Sequence, residues 1–483
     1  MNQNELKQKT VSGFVYKFLE RAGAKGISFI ISLILARLLM PEDYGIIALV
    51  TVLIQICDVF VTYGFGNSLI VNKKSDSLDF STCFYFGLGL SFVVYIGIYY
   101  FAPIIADFYE MEILIKVLRV MGLRVPIAAI NSVQHAYVSK HMDFKKFFIA
   151  TSIGTIISGI IAVIMAYCGF GIWALVSQYL TNVLIDTICL FFIIDWRPTL
   201  EFSFRRLKKI YAYGWKILVV GLIDTIFIEL RSLIIGKKYT KIDLAYYNRG
   251  NQFPSLAMSL IEPTVNGVLF PALSLSNDNQ IEMKNIARRV IKVSTYIIFP
   301  IMIGLIVIAK PLVIFLLTEK WLPAVIYLQV ACLAQMFRPL QFINNSIIKA
   351  SGQGGLLLKL NIIKKTIGIA LLIFSMNYGV IGIAISLVII NIISTFINIM
   401  PNRKLLNYGY IAQFTDIFKS AISAIIMGIV VYFVSFLPLT TFGLLIVQIF
   451  IGMFFYIMLS IICKIDSFEY LLYIIRKNIL KRK

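Results

Sequence analysis

The chain has 483 residues, of which 59% are hydrophobic and only 14% are charged, with a mean hydropathy of +0.87. Soluble domains are about 45–50% apolar and about 25% charged, so this composition excludes an ordinary water-facing surface. The net charge of +21 comes from bases spread between apolar segments, which argues against a nucleic-acid-binding protein. The six cysteines form no CxxC pair and there are two histidines, so neither a metal site nor a disulfide framework is expected.

Apolar segments long enough to cross a hydrocarbon core of about 30 Å recur from end to end. The sequence therefore predicts an all-α polytopic membrane protein with about fourteen transmembrane helices. The predicted helices cover residues 14–39, 44–71, 80–105, 113–138, 147–168, 171–194, 210–236, 243–272, 286–317, 323–349, 356–376, 379–400, 417–437 and 440–463. The N-terminal segment lacks the compact apolar core of a cleavable signal peptide, so the first helix is expected to remain in the mature protein.

The distribution of Lys and Arg between the loops predicts the orientation. With the N-terminus in the cytoplasm, the inner segments hold 25 of these bases and the outer loops hold 6. A miscounted helix would invert every later loop and destroy this alternation. We therefore expect both termini in the cytoplasm and a multi-pass protein of the bacterial inner (plasma) membrane.

A weak internal repeat predicts the domain organisation. The segment LARLLMPEDYGIIAL around Arg37 is followed 200 residues later by IIGKKYTKIDLAYYN around Lys237, and helices one and seven fall in register. Two similar lobes around a midplane site are a common transporter plan. Chance similarity between two apolar hairpins remains an alternative. The predicted parts are two pseudo-symmetric six-helix lobes at 1–200 and 201–402, two extra C-terminal helices at 403–463, and a basic amphipathic cytoplasmic tail at 464–483.

Charges within the apolar helices predict the site. A charge at the bilayer centre costs about 2.5–3.5 kcal/mol on insertion scales, so such residues usually face water or a partner. Helices one, two, seven and eight carry a net-positive polar stripe, which we expect to line a central cavity between the lobes. The predicted substrate-binding cations are Arg21, Lys25, Arg231 and Arg249. The predicted acidic residues nearby, candidates for coupling, are Asp58, Asp224 and Glu262.

The charge of the predicted cavity indicates the kind of ligand that it binds. Arg and Lys bind phosphate and carboxylate groups, so the cavity should attract an anion such as a pyrophosphate-linked lipid or an acidic sugar chain. Internal pairing is the alternative for Asp224 and Arg231, which lie seven residues apart on one helix face.

The segment from Val11 to Leu69, and two later stretches, resemble a known family. The motifs are LARLLMPEDYG, the GFGNSLI stretch, the segment Tyr247 to Gln252 and the NGVLFPALS run at 266–274. They are similar to bacterial polysaccharide flippases of the Wzx type, in the branch of the multidrug/oligosaccharidyl-lipid/polysaccharide exporter superfamily that exports colanic and teichuronic acids.

The resemblance implies export, by alternating access, of undecaprenyl-pyrophosphate-linked repeat units for O-antigen, capsule or exopolysaccharide assembly. It brings no catalytic motif, metal or cofactor, and it leaves coupling to a proton or a sodium gradient open. The implied partners are the lipid-linked oligosaccharide, the lipid bilayer and the polysaccharide polymerase or chain-length machinery, with no nucleic acid. The alternatives are a lipid II or multidrug exporter of the same superfamily, or a polytopic polysaccharide polymerase or ligase. Such enzymes generally need a large outer loop, whereas the predicted outer loops are short.

Overall fold

A computed structural model of the protein describes residues 23, 25–71, 75–276 and 279–480, and no strand occurs within these ranges. A short 3₁₀ helix, Glu319–Trp321, precedes α11. The α-helices are α1 (25–38), α2 (Pro41–Val71), α3 (Ser77–Tyr109), α4 (Ile113–Gly122), α5 (Arg124–His141), α6 (Phe144–Tyr167), α7 (Ile172–Ile193), α8 (Phe204–Lys238), α9 (Lys241–Leu275), α10 (Gln280–Leu317), α11 (Ala324–Met336), α12 (Arg338–Ala350), α13 (Gly354–Ser375), α14 (Gly379–Leu406), α15 (Tyr410–Val434), α16 (Thr441–Ile462) and α17 (Asp466–Leu480).

Two of the predicted helices are interrupted. The segment 113–138 divides into α4 and α5 at Leu123, and the segment 323–349 divides into α11 and α12 at Phe337. Pro126 and Pro339 stand in the first turns of α5 and α12. Proline is tolerated there because its missing N–H would have no partner within the helix, but it cannot continue the helix before it. The interruptions therefore follow from local sequence.

The protein is an all-α polytopic membrane protein. Within the described part of the chain, nine helices are long and apolar enough to cross a membrane. They are α2, α3, α6, α7, α9, α10, α14, α15 and α16. Helix α13 has 22 residues, the length of a bilayer span, but it carries three lysines. The count of fourteen transmembrane helices stays a prediction.

The chain forms two compact units, Met1–Ala245 (the first unit) and Tyr246–Lys483 (the second unit). In the first unit, α8 packs along α2, α6 packs on α7, and α5 packs on both α2 and α3. In the second unit, α10 packs on α11 and α15, and α14 packs on α11, α12 and α13. The two six-helix lobes at 1–200 and 201–402, with helices 403–463 added, stay a prediction.

The start of α2 lies directly against the start of α9 within the first unit. A Cβ atom on Gly45 would lie 1.8 Å from the backbone oxygen of Lys241, so only glycine permits this approach. Two ion pairs flank it, between Lys241 and Glu42 at 2.7 Å and between Lys237 and Glu110 at 2.9 Å. This close contact brings the two loops of the predicted repeat together.

Candidate functional site

A polar cavity of 470 Å³ lies in the first unit among α2, α5, α7 and α8. Its volume falls in the range of about 300–1,000 Å³ that is typical of ligand pockets. The polar groups that line it include Gln55, Asp58, Arg124, Asn131, His135 and Thr225. A cavity with carboxylate, guanidinium, amide and hydroxyl groups among apolar helices offers hydrogen bonds to a hydrophilic ligand.

Helix α5 supplies one wall of this cavity. Arg124, Asn131 and His135 are separated by seven and four residues, so they lie on one face of the helix. The opposite positions include Val125 and Ala129, which are buried. The sequence of α5 therefore turns a polar stripe towards the cavity and an apolar stripe towards the packed helices.

An ion pair closes one part of the cavity wall. Arg124 Nη1 donates a hydrogen bond to Asp58 Oδ2, and the two side chains are 29% and 14% exposed. Their charges compensate each other, which reduces the cost of holding both among apolar helices. Because Arg124 begins α5 and Asp58 lies within α2, the pair also joins these two helices.

A second carboxylate, Asp186 of α7, lies behind the cavity lining and is 8% exposed. Its Oδ2 atom accepts a hydrogen bond from Asn131 Nδ2 at 2.9 Å and lies 3.0 Å from His135 Nε2. Its Oδ1 atom accepts a bond from Thr151 Oγ1 at 3.4 Å. The edge of the His135 ring meets Phe147, with centroids 4.5 Å apart. Asp186 thus orients two of the cavity-lining side chains of α5.

In the second unit, polar groups join α9 to α11 and α12. Arg338 Nη2 donates to Glu262 Oε2 at 2.8 Å, and Gln335 Nε2 donates to Ser255 Oγ at 2.9 Å. Nearer the start of α9, the buried Arg249 donates from Nη1 to Gln252 Oε1 at 2.5 Å. Its guanidinium carbon also lies 5.0 Å from the centre of the Trp321 ring.

A second cavity, of 630 Å³, lies among α10, α11 and α15 of the second unit. Its lining is apolar and includes Phe299, Ile303, Leu333, Phe337, Ile417 and Ile425. A cavity of this composition fits a hydrocarbon chain, because no polar group of the ligand would be left without a partner.

The predicted site residues take different environments. Arg21 lies outside the described residues. Lys25 on α1 and Asp224 on α8 are exposed, whereas Arg231 and Arg249 are only 5% and 4% exposed. Of the predicted acids, Asp58 lines the polar cavity and Glu262 pairs with a base of α12. A cavity shared by all four predicted cations stays a prediction.

The site residues predicted from the sequence do not include four residues that the structure places at the polar cavity: Arg124, Asn131, His135 and Asp186. The spacing of the first three along one helix face was available in the sequence and could have identified them. The sequence places Gln178, Asn182 and Asp186 at four-residue spacing on one helix face, which predicts interhelical hydrogen bonds there. Which residues of α5 and α6 bind Asp186 depends on packing between separate helices.

The chain is similar to known proteins over most of its length. A family described as polysaccharide biosynthesis protein matches residues 34–326. The succinoglycan biosynthesis transport protein ExoT of Rhizobium meliloti (strain 1021) is 24% identical over 314 residues, covering 65% of this chain and 64% of ExoT. The match thus spans just under two thirds of ExoT. The lipopolysaccharide biosynthesis protein WzxC of Escherichia coli (strain K12) is 22% identical over 396 residues, covering 81% of this chain and 80% of WzxC.

Among solved structures, the lipid II flippase MurJ in an inward closed conformation superposes with a TM-score of 0.77. The superposition covers 94% of this chain and 99% of MurJ at 17% sequence identity. At this identity the likeness shows a shared fold.

Proposed function

Because the chain belongs to the polysaccharide biosynthesis protein family, we propose that it translocates undecaprenyl-pyrophosphate-linked oligosaccharide repeat units across the bacterial inner membrane. The units would serve the assembly of O-antigen, capsule or exopolysaccharide, and the transport cycle would be alternating access. The protein is a transporter and not an enzyme, as its named relatives and its fold indicate.

The polar cavity of the first unit is the observation that carries this proposal. A sugar must leave water to cross a membrane, and each of its hydroxyl groups then needs a partner. Asp58 of α2 and Asn131 and His135 of α5 line this cavity and carry a carboxylate, an amide and an imidazole. These groups can accept from or donate to the hydroxyl groups of an oligosaccharide.

The other two parts of the substrate require different surroundings. The apolar cavity of the second unit, taken by itself, has an aromatic and aliphatic lining that suits a hydrocarbon chain. For the pyrophosphate we propose the cationic residues selected from the sequence, Arg21, Lys25, Arg231 and Arg249. Their acidic neighbours in the proposal are Asp58, Asp224 and Glu262.

We test this function by reconstitution. The purified protein in liposomes receives an undecaprenyl-pyrophosphate oligosaccharide with a fluorescent sugar, and a membrane-impermeant quencher reports which leaflet the sugar faces. Transport should move the label between leaflets within the assay, and liposomes without protein should not. No movement above that background would contradict the proposal, and lengthening of the oligosaccharide would instead indicate a polymerase.

The same liposomes test a second candidate function. The superposition on the lipid II flippase MurJ favours lipid II as an alternative substrate. Labelled lipid II and a labelled cationic drug are therefore offered separately. Faster movement of either one than of the oligosaccharide would assign the protein to that substrate.

Substitutions of Arg249 test the proposed anion site. Arg249→Ala should abolish transport while the protein remains folded, because the pyrophosphate loses a charged donor. Arg249→Lys should recover part of the rate, since the charge returns without the planar fork. Wild-type transport by Arg249→Ala at wild-type abundance would exclude this residue from the site.

A further inference from the structure

A lysine lies at the midpoint of a helix in the second unit. Lys364 is the eleventh of the 22 residues of α13. Its ammonium Nζ donates a hydrogen bond to Oδ1 of Asn398, on α14, at 2.8 Å. Lys364 is half-buried and Asn398 is only 1% exposed. The lysine therefore holds its charge among apolar helices with an uncharged partner.

No carboxylate is available on the neighbouring helices. The chain contains no Asp or Glu between Glu319 and Asp416, so α12, α13 and α14 carry bases without acids and α11 carries no charge. Helices α12 and α14 pack against α13. The charged residues of these two helices are Arg338, Lys349, Arg403 and Lys404, and α13 itself adds Lys359 and Lys365. Within the described ranges, no ion pair forms at Lys364, whereas Arg338 pairs with Glu262 of α9.

An ammonium group in these surroundings is costly unless its charge is compensated. A lysine has an alternative to compensation that an arginine lacks, because its amine can release a proton and become neutral. A buried lysine without a carboxylate is therefore suited to binding and releasing a proton.

The partner of Lys364 can serve both forms of the amine. The Asn398 oxygen accepts from the ammonium form, and after rotation of the amide its N–H group can donate to the lone pair of the neutral form. The Asn398 Nδ2 atom is buried and makes no other hydrogen bond, so the rotation breaks no existing donor contact. The pair can thus exchange between two hydrogen-bonded states.

We propose that Lys364 and Asn398 form a proton-binding site on α13 and α14, and that its loading and unloading couple translocation to a proton gradient. The ammonium releases one proton to water and becomes an amine. The amine takes one proton from water on the other side of the membrane, and no other bond changes. The inference rests on the proposed function and names its coupling ion.

The transport test uses the reconstituted protein with an imposed pH gradient. A gradient of about one pH unit should change the rate of label movement up to about tenfold in the favourable direction. Lys364→Arg, with a permanent charge, and Lys364→Met, with none, should both lose this response. The matched control is Lys359→Arg on the same helix, whose side chain is exposed and which should keep the response.

A second measurement does not depend on transport. Reductive methylation with ¹³C places an NMR label on each lysine amine of the purified protein, and the Lys364 signal is the one that Lys364→Met removes. This signal should shift with pH in the wild type. In Asn398→Asp the new carboxylate should favour the charged form of the amine. The pH at the midpoint of the signal change should therefore be higher than in the wild type.

The outcomes separate the inference from the function. If the wild type moves the oligosaccharide but ignores the pH gradient, the coupling is overturned and the proposed function stands. If Lys364→Arg keeps the full gradient response, the response does not require a group that releases its proton at this position, and the proton site is overturned. If the wild type moves no label but its Lys364 signal titrates as described, the proposed function fails and the proton-binding site survives.

Discussion

In the first unit, helices α2, α5 and α7 place acidic and basic side chains against one another, whereas in the second unit α13 carries a lysine among helices that contain only bases. Asp58 pairs with Arg124, and Asp186 receives hydrogen bonds from residues of α5 and α6. Lys364 has an amide as its partner. The difference shows that charges among these helices are held either by a partner of opposite charge or, at Lys364, by a neutral amide.

The comparison between the two units can be tested through the contribution of each carboxylate to the free energy of unfolding. Breaking a buried pair by removing one partner costs about 3–5 kcal/mol, whereas an exposed pair contributes about 0–1 kcal/mol. The loss in the free energy of unfolding on removal of a carboxylate should therefore be largest at the polar cavity and smallest at the surface.

The largest effect is expected at the cavity pair. Asp58→Asn leaves the Arg124 charge without compensation, which should lower the free energy of unfolding by about 3–5 kcal/mol. Thermal unfolding in detergent, followed by tryptophan fluorescence, measures this loss. Glu110→Gln is the control, because it removes an acid from a pair at the exposed end of α3 and should leave the unfolding temperature unchanged.

The double variant Asp58→Asn with Arg124→Gln sharpens the first prediction. It removes both charges, so most of the lost stability should return. If the double variant is less stable than Asp58→Asn alone, the two side chains do not act as a pair and the comparison between the units fails.

The next effect is expected at Asp186. Asp186→Ala leaves donors from Asn131, His135 and Thr151 without their acceptor. An unsatisfied buried group costs about 1–3 kcal/mol, but Asn131 and His135 also line the cavity, where water can replace part of each lost bond, so we expect a total of about 2–4 kcal/mol. Asp186→Asn should be milder because its amide oxygen still accepts. The control Asp195→Ala removes an exposed carboxylate. Wild-type unfolding of Asp186→Ala would show that these hydrogen bonds contribute nothing.

An intermediate effect is expected at the ion pair of the second unit. The Glu262 and Arg338 side chains are 27% and 43% exposed, so this pair is less buried than the pair of Asp58 and Arg124. Glu262→Gln removes the charge but keeps an acceptor, and we expect a loss of about 1 kcal/mol. The exposed Glu282→Gln serves as the control in the same melting experiment. A loss in the free energy of unfolding as large as that of Asp58→Asn would mean that burial does not determine how much an ion pair contributes to stability.

The smallest effect is expected outside the apolar helices, where Asp76 caps α3. A hydrogen bond from Arg206 Nη1 at 2.5 Å lowers the pKa of the Asp76 carboxyl below its ordinary value. A lowered pKa stabilises the folded state at pH values above the ordinary value, and this contribution is lost as the pH falls through the lowered one. Arg206→Ala should therefore melt slightly below the wild type near pH 7, and the two curves should converge at acidic pH. If the unfolding temperatures of Arg206→Ala and the wild type moved apart as the pH falls, the stabilising effect of the lowered pKa would be contradicted.

The positions of the helices follow from the sequence because lipid acts on each segment separately. A chain that crosses hydrocarbon must satisfy its backbone within each helix, so apolar length and loop charge identify the segments one at a time. Within the described residues, each predicted segment corresponds to one helix, or to two at 113–138 and 323–349, and the ends differ by a few residues. The motifs between Val11 and Leu69 indicated the family, and the match over residues 34–326 confirms it.

The charge partners were decided by packing alone. Asp58 and Arg124 lie 66 residues apart, and Lys364 and Asn398 lie 34 apart. Whether two such side chains meet depends on the rotation of each helix about its axis and on which helices become neighbours. Neither quantity is encoded by the composition of one segment, so the sequence showed which helices carry charge and the tertiary structure determined which charges compensate each other.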